Sequence, residues 1–234
     1  MNGHKPDFSF AHREEGFDNH IDQSIRGYSD LHKDIISMSK YFIEDNTSVV
    51  DIGCSTGKTI YEMAKYNKAT SPNARIYGVE YAVGFEDALA ERKTQCANED
   101  LRAEFFIEDI RDFSWPRDCS LVTSIFTLQF MPRQSRQSVV QEIYQALIDG
   151  GAFIFAEKTV AESARMQQIL TFSHYDYKRQ NFTAEDIMDK EQELRSMLKP
   201  NTWNELRNLL LTAGFQDIQP FWQNHQFVGA IAIK

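Results

Sequence analysis

The chain has 234 residues, 42% of them hydrophobic and 25% charged, which is the balance of a globular domain and excludes a disordered or fibrous chain. Twenty-five Lys and Arg stand against 34 Asp and Glu, a formal net charge of −9, so a phosphate backbone is repelled at a distance and no direct nucleic-acid contact is expected. No run of about 18 uncharged apolar residues occurs, so no membrane helix is expected, and Met1 to Phe10 lacks the apolar core of a secretory signal. The length suits one domain over 1–234. Cys54, Cys96 and Cys119 are odd in number, far apart and form no CxxC pair; no disulfide framework or metal site is expected, and a reducing, cytoplasmic setting is the simplest reading.

Residues 1–20 are polar and carry His4, His12 and His20 at a spacing of eight; metal-binding pairs on a helix need spacings of three or four, so this stretch reads as an N-terminal arm. From Ile21 to Ile43, Ile25, Tyr28, Leu31, Ile35, Ile36, Met38 and Phe42 recur at helical spacing, which predicts an amphipathic helix pair broken near Gly27. Ser48 to Gly53 is a β-branched run ending in a glycine turn, Gly57 to Lys68 a helix, Arg75 to Glu80 a second strand and Gly84 to Ala97 a second helix. Ala103 to Asp109 and Cys119 to Phe126 are further strands. Arg133 to Leu147 is a helix expected to end at Asp149-Gly-Gly151, and Ala152 to Ala156 a fifth strand. This alternation predicts an α/β fold with a doubly wound, mostly parallel sheet. The segment 160–200 breaks the rhythm with two polar helices, Glu162 to Gln180 and Ala184 to Leu198, and reads as a helical insertion or lid over the strand ends, or a dimer element. Thr202 to Ala213 is a last helix, and Asp217 to Gln223 with Gln226 to Ile233 an antiparallel closing hairpin.

The turn Asp51-Ile-Gly-Cys-Ser55, with Gly57, follows the first strand and opens a helix. Glycine there lets a ligand approach the backbone, and the helix start offers N–H groups. The nicotinamide fingerprint fails because Ser55 takes the place of its second glycine, and the P-loop fails because Gly53 and Gly57-Lys58-Thr59 enclose one residue too few. The remaining class is the S-adenosylmethionine turn, D-x-G-x-x-x-G. An acid at the end of the second strand, Glu80, can accept both ribose hydroxyls, and one at the end of the third, Asp109 followed by Ile110, can take the adenine amine. All three features fall at the carboxyl ends of strands, where such sheets bind ligands.

With these residues in view, the chain resembles the class I S-adenosylmethionine-dependent methyltransferases, and more closely the carboxy-S-adenosyl-L-methionine synthase family. The matching pieces are Arg26-Gly-Tyr28-Ser29, the glycine turn, Asp109-Ile-Arg-Asp112, Phe126-Thr-Leu-Gln-Phe130, Glu157-Lys158, and His174-x-Asp176-x-Lys178-Arg179. Arg195-Ser-Met-Leu198 and Ala213-Gly-Phe215 with Trp222-Gln223 complete the set, so the likeness runs from about residue 21 to the C-terminus. It implies a Rossmann-like fold and an enzyme that turns S-adenosylmethionine and prephenate into carboxy-S-adenosylmethionine and phenylpyruvate, for tRNA wobble-uridine modification. The implied cofactor is S-adenosylmethionine or its carboxylated form, the implied partner a small-molecule substrate, prephenate, and a homodimer is expected. Tyr28, Asp51, Gly53, Cys54, Ser55, Glu80, Tyr81, Asp109, Ile110 and Ile125 are the implied cofactor contacts. Arg195 is assigned both the catalytic role and the contact to the new carboxylate, which suits a planar guanidinium. Three features depart from the family: Ile125 stands where an Asn is usual, Glu80 replaces an Asp, and the link from Arg179 to Arg195 is about three residues longer. An ordinary methyltransferase of unknown substrate and a non-catalytic cofactor-binding protein are the alternatives.

Overall fold

The computed structural model describes residues 16–234; His4 and His12, and the arm expected over 1–15, lie outside them. Helix α1 (Phe17–Ser24) and α2 (Tyr28–Ser39) are the expected pair, hinged at Gly27, whose φ of 76° is left-handed. The difference is that α1 begins inside the expected arm. Phe17 meets the ring of Phe85 edge-on at 5.1 Å and His20 meets Phe182 at 5.3 Å, so this end of the chain is held by aromatic burial.

Beyond it run β1 (Ser48–Ile52), α3 (Lys58–Asn67), β2 (Arg75–Glu80), α4 (Glu86–Asn98), β3 (Ala103–Ile107), β4 (Cys119–Ile125), α5 (Arg133–Ala146) and β5 (Leu147–Lys158). The helices α6 (Ala164–Lys178), α7 (Ala184–Met197) and α8 (Trp203–Ala213) follow, then β6 (Asp217–Asn224) and β7 (Phe227–Ile233). The seven strands lie in the order β3-β2-β1-β4-β5-β7-β6. The first five are mutually parallel, and β7 runs antiparallel between β5 and β6. Both faces are covered. Leu31, Ile35, Ile60, Met63 and Ile154 fill one, and Val122, Ile143, Phe153, Phe155 and Phe215 the other, as the continuous apolar runs of buried parallel strands require. Among the described residues no helix is long and apolar enough to cross a membrane.

The expected stop at Asp149-Gly-Gly151 is corrected. Helix α5 ends at Ala146, and β5 begins at once, with Leu147 extended. The register against β4 slips between Cys119 and Leu121, and Gly150, at φ 80°, lies in the slipped stretch; those glycines serve a β-bulge, as glycine in a strand often does. The sheet reverses between β2-β1 and β4, so the carboxyl ends of β1 and β4 form a crevice where such folds take ligands.

Candidate active site

A cavity of about 430 Å³ opens at that crevice, within the roughly 300–1,000 Å³ typical of small-molecule sites. Gly53 and Ser55 line it from the turn after β1, Glu80 and Tyr81 from the end of β2, Asp109 and Ile110 from beyond β3, and Ile125 from the end of β4. The opposite walls come from α1 (Phe17, His20, Ile21), α6 (His174, Lys178) and α7 (Lys190, Glu191, Leu194). Ser163 caps α6 through the N–H of Met166, and Thr183 with Asp186 forms a capping box on α7, so both helices start at fixed points. Tyr177 on α6 donates to the carbonyl of Asp22 at 3.1 Å, and Asn181 to that of Gln23 at 3.3 Å; these bonds tie α6 to the end of α1.

The glycine turn is held by its own hydrogen bonds. The N–H groups of Gly53 and Cys54 donate to Val79 and that of Gly57 to Cys54, so these three amides are spent inside the protein. A Cβ on Gly53 would lie 2.2 Å from Thr127 Oγ1, and its φ is 71°; only glycine meets both conditions. Thr127 in turn donates to the carbonyl of Ile52 at 3.0 Å.

Glu80 is buried, and its two oxygens accept from Ser55 N–H and Ala82 N–H, each at 2.8 Å. Burial raises its pKa, and those backbone bonds oppose the rise. Each carboxylate oxygen has two acceptor sites, so the group keeps capacity for a diol after both backbone bonds are made. Asp109 is gripped by Arg111, Nε to Oδ1 at 2.9 Å and Nη2 to Oδ2 at 2.5 Å, and accepts the Arg111 N–H as well. An amine reaching Asp109 would share it with that guanidinium. These two acceptors therefore fit a ribose and an adenine along the β2 and β3 ends.

Four expected contacts lie off the cavity lining. Tyr28 is buried against His32 and Phe126, and burial raises its phenol pKa. Asp51 lies under the turn, where it accepts from Thr123 Oγ1 at 2.6 Å; burial lifts its carboxyl to about 7, and it joins β1 to β4. The Cys54 side chain is buried, its thiol pKa raised by desolvation. Arg195 is the fourth. It lies on the exposed face of α7, one turn past Glu191, outside the lining residues.

Residue-by-residue motif reading missed how the Phe126–Phe130 segment works. The buried Glu157 accepts the N–H of Leu128 at 2.9 Å, and the backbone at Thr127 and Gln129 also bonds it. Burial lifts its pKa to about 8 while the Arg136 charge opposes that. Gln129 Oε1 accepts the N–H of Lys158 at 2.7 Å, and Arg136 donates to the carbonyls of Gln129 and Met131. The segment is a loop wound around one carboxyl group, and it fixes both Ile125 and Lys158 at the cavity. The signal was the pairing of Phe-Thr-Leu-Gln-Phe with Glu157-Lys158, two pieces that touch through β4 and β5.

Comparison with known proteins agrees with this geometry. Residues 49–151 match the family model for a methyltransferase domain. The putative O-methyltransferase of Nostoc punctiforme superposes with a TM-score of 0.66 at 16% identity, over 96% of this chain and 60% of that one, a likeness of fold. The chain thus has the class I S-adenosylmethionine-dependent methyltransferase fold. It is 33% identical over 93% of its length to the carboxy-S-adenosyl-L-methionine synthase of Staphylococcus epidermidis, of which 92% is covered. It is 31% identical over 97% of its length to the protein of that name from Histophilus somni, 94% covered. The chain belongs to the carboxy-S-adenosyl-L-methionine synthase family and is by family an S-adenosylmethionine-dependent transferase.

Proposed function

We propose that the protein moves a carboxyl group from prephenate onto the methyl carbon of S-adenosylmethionine, giving carboxy-S-adenosylmethionine, phenylpyruvate and water. The observation that carries this reading is the roofed apolar cavity, in which α1, α6 and α7 face the Glu80 carboxylate across the strand ends. When bound, S-adenosylmethionine supplies a sulfonium that acidifies its methyl hydrogens. In the overall change the donor's carbon–carboxyl bond breaks and a bond from the methyl carbon to the carboxyl carbon forms. The methyl proton and the donor's ring hydroxyl leave together as water. The chain's contribution is to bind and to exclude solvent. Glu80 holds the ribose, Gly53 lets the substrate lie against the turn, and the rings of Phe17 and Phe130 with the side chain of Leu194 keep bulk water from the reacting carbon, since a carbanion beside the sulfonium would otherwise be reprotonated.

The product serves tRNA wobble-uridine modification by a separate enzyme, a division of labour consistent with the net charge of −9 here, and the setting is cytoplasmic. The outward stripe of Met166, Ile169 and Phe172 on α6, with Phe172 65% exposed, supports a homodimer through the lid helices. Mass spectrometry of ligand released from purified protein tests the reading. Carboxylated cofactor supports it; plain cofactor alone, unchanged after incubation with prephenate, favours an ordinary methyltransferase.

A further inference from the structure

Helix α7 roofs the cavity through Leu194 and Leu198, and the chain leaves the helix extended at Leu198. The residues that follow are strapped to the body of the protein. The N–H of Lys199 donates to the carbonyl of Gln129 at 2.9 Å, and the N–H of Val160 to that of Asn201 at 3.0 Å. Arg133 Nη2 donates to the carbonyl of Pro200 at 2.6 Å. Asn201 also bridges Thr159 in parallel, just past the end of β5.

The centre of this strap is Arg136, a residue of α5 that is 1% exposed and lies outside the cavity lining. Its guanidinium donates to the carbonyls of Met131, at 2.8 Å, and Gln129, at 3.1 Å, and to Oδ1 of Asn201. The Asn201 amide is oriented for this, because its Nδ2 donates to Glu205 at 3.0 Å. The Gln129 carbonyl therefore accepts from both Arg136 and Lys199, which uses both of its lone pairs. All three acceptors of the guanidinium are neutral, and the Glu157 charge acts on it without a printed ion pair between them. Burying a cation on neutral acceptors is costly, and an apolar side chain would fill the space at less cost. What the planar fork supplies, and a lysine cannot, is a simultaneous grip on the Phe126–Phe130 loop and on the strap.

We propose that Arg136 is a positioning residue for the reaction: through Gln129 and Asn201 it locks the end of α7 to the Phe126–Phe130 loop, so that Leu194 and Leu198 close over the reacting carbon. The inference rests on the function proposed above. A roof that fits loosely has a chemical signature. When water reaches the methyl carbon, that carbon regains a proton in place of the carboxyl group. Phenylpyruvate then forms alone, while carbon dioxide escapes and the ring hydroxyl leaves as hydroxide.

The test compares wild type with Arg136→Lys, Asn201→Ala and Asn201→Asp. It reads kcat, the KM for S-adenosylmethionine, the ratio of carboxy-S-adenosylmethionine to phenylpyruvate formed, and amide exchange at Lys199. Arg136→Lys and Asn201→Ala are expected to speed exchange at Lys199 at least about tenfold. Because a shift of about 1 Å costs up to about a hundredfold, kcat is expected to fall at least about tenfold, with KM for S-adenosylmethionine within about threefold. The product ratio is expected to fall from near one to below about half. Asn201→Asp keeps an acceptor for the guanidinium and recovers most of each loss. Where Arg136→Lys does not fold, Asn201→Ala decides, since it leaves Arg136 and its two carbonyl bonds in place. Unchanged exchange at Lys199 would overturn the lock. Faster exchange with an unchanged kcat and product ratio would overturn the positioning role and leave Arg136 as a support of the fold. Should wild type form no carboxylated product, the proposed function falls, and exchange at Lys199 still decides the lock on α7.

Discussion

Replacing Glu80 probes the cofactor cradle and the fold around it together, and the two effects separate. The carboxylate accepts Ser55 N–H and Ala82 N–H at 2.8 Å each and faces the cavity. In Glu80→Ala both amides lose their acceptor, at about 1–3 kcal/mol for each one left unsatisfied. In Glu80→Gln one oxygen becomes an NH2 group, so one amide meets a donor in place of an acceptor and only the other bond survives. Charge-assisted hydrogen bonds to a ribose diol contribute roughly 1.5–3 kcal/mol, so either change is expected to weaken S-adenosylmethionine by about tenfold to a hundredfold. Glu80→Ala is also expected to melt earlier than Glu80→Gln. Isothermal titration at one pH and temperature, paired with urea unfolding, gives both quantities. Lower stability with unchanged cofactor affinity would refute the placement of the ribose at Glu80 and leave the residue as a staple of the turn alone.

Other expectations follow from the same geometry. Arg195→Ala is expected to abolish a preference for the carboxylated over the plain cofactor while plain affinity stays nearly intact, read by titration; an unchanged preference would count against a role for this exposed side chain. Gly53→Ala should destabilise the fold by more than about 2 kcal/mol, from the left-handed φ and the close approach of Thr127, as seen in a urea midpoint. Burial lifts Asp51 to about 7, so the native state holds this proton while the unfolded chain releases it near pH 4. Stability from this group is therefore present at low pH and lost as pH rises from about 4 to about 7, by a few kcal/mol at most. Asp51→Asn should remove that slope in unfolding curves taken at pH 5 and pH 8, and a slope unchanged in the variant would count against a buried, protonated carboxyl. Phe172→Asp should convert a dimer to a monomer in light scattering, and an unchanged mass would place any interface elsewhere.

Local periodicity made the strand–turn–helix order legible and placed Gly53, Glu80, Asp109 and Ile110 at strand ends that prove to line one cavity, and the family resemblance added Ser55, Tyr81 and Ile125, which line it too. Each of these residues follows a short apolar run, and in a parallel sheet the ends of such runs share an edge. What stayed hidden depends on pairings far apart in sequence. The start of β5 at Leu147 is set by its register against Cys119, which no window along the chain contains. Helix α1 is eight residues long and polar; its order comes from Phe85 and Phe182, 68 and 162 residues beyond the residues they touch. Arg195 rests on the motif match alone, and the non-helical turn between α6 and α7 leaves the direction of its side chain beyond any window along the chain.

The central claim is the transfer of a carboxyl group to the methyl carbon, and the most direct measurement supplies purified protein with S-adenosylmethionine and prephenate labelled in its ring carboxylate. Mass spectrometry is then read over time. Carboxy-S-adenosylmethionine carrying the label is expected, formed in step with phenylpyruvate. Plain S-adenosylmethionine recovered intact, with no labelled cofactor after many equivalents of prephenate, would contradict it.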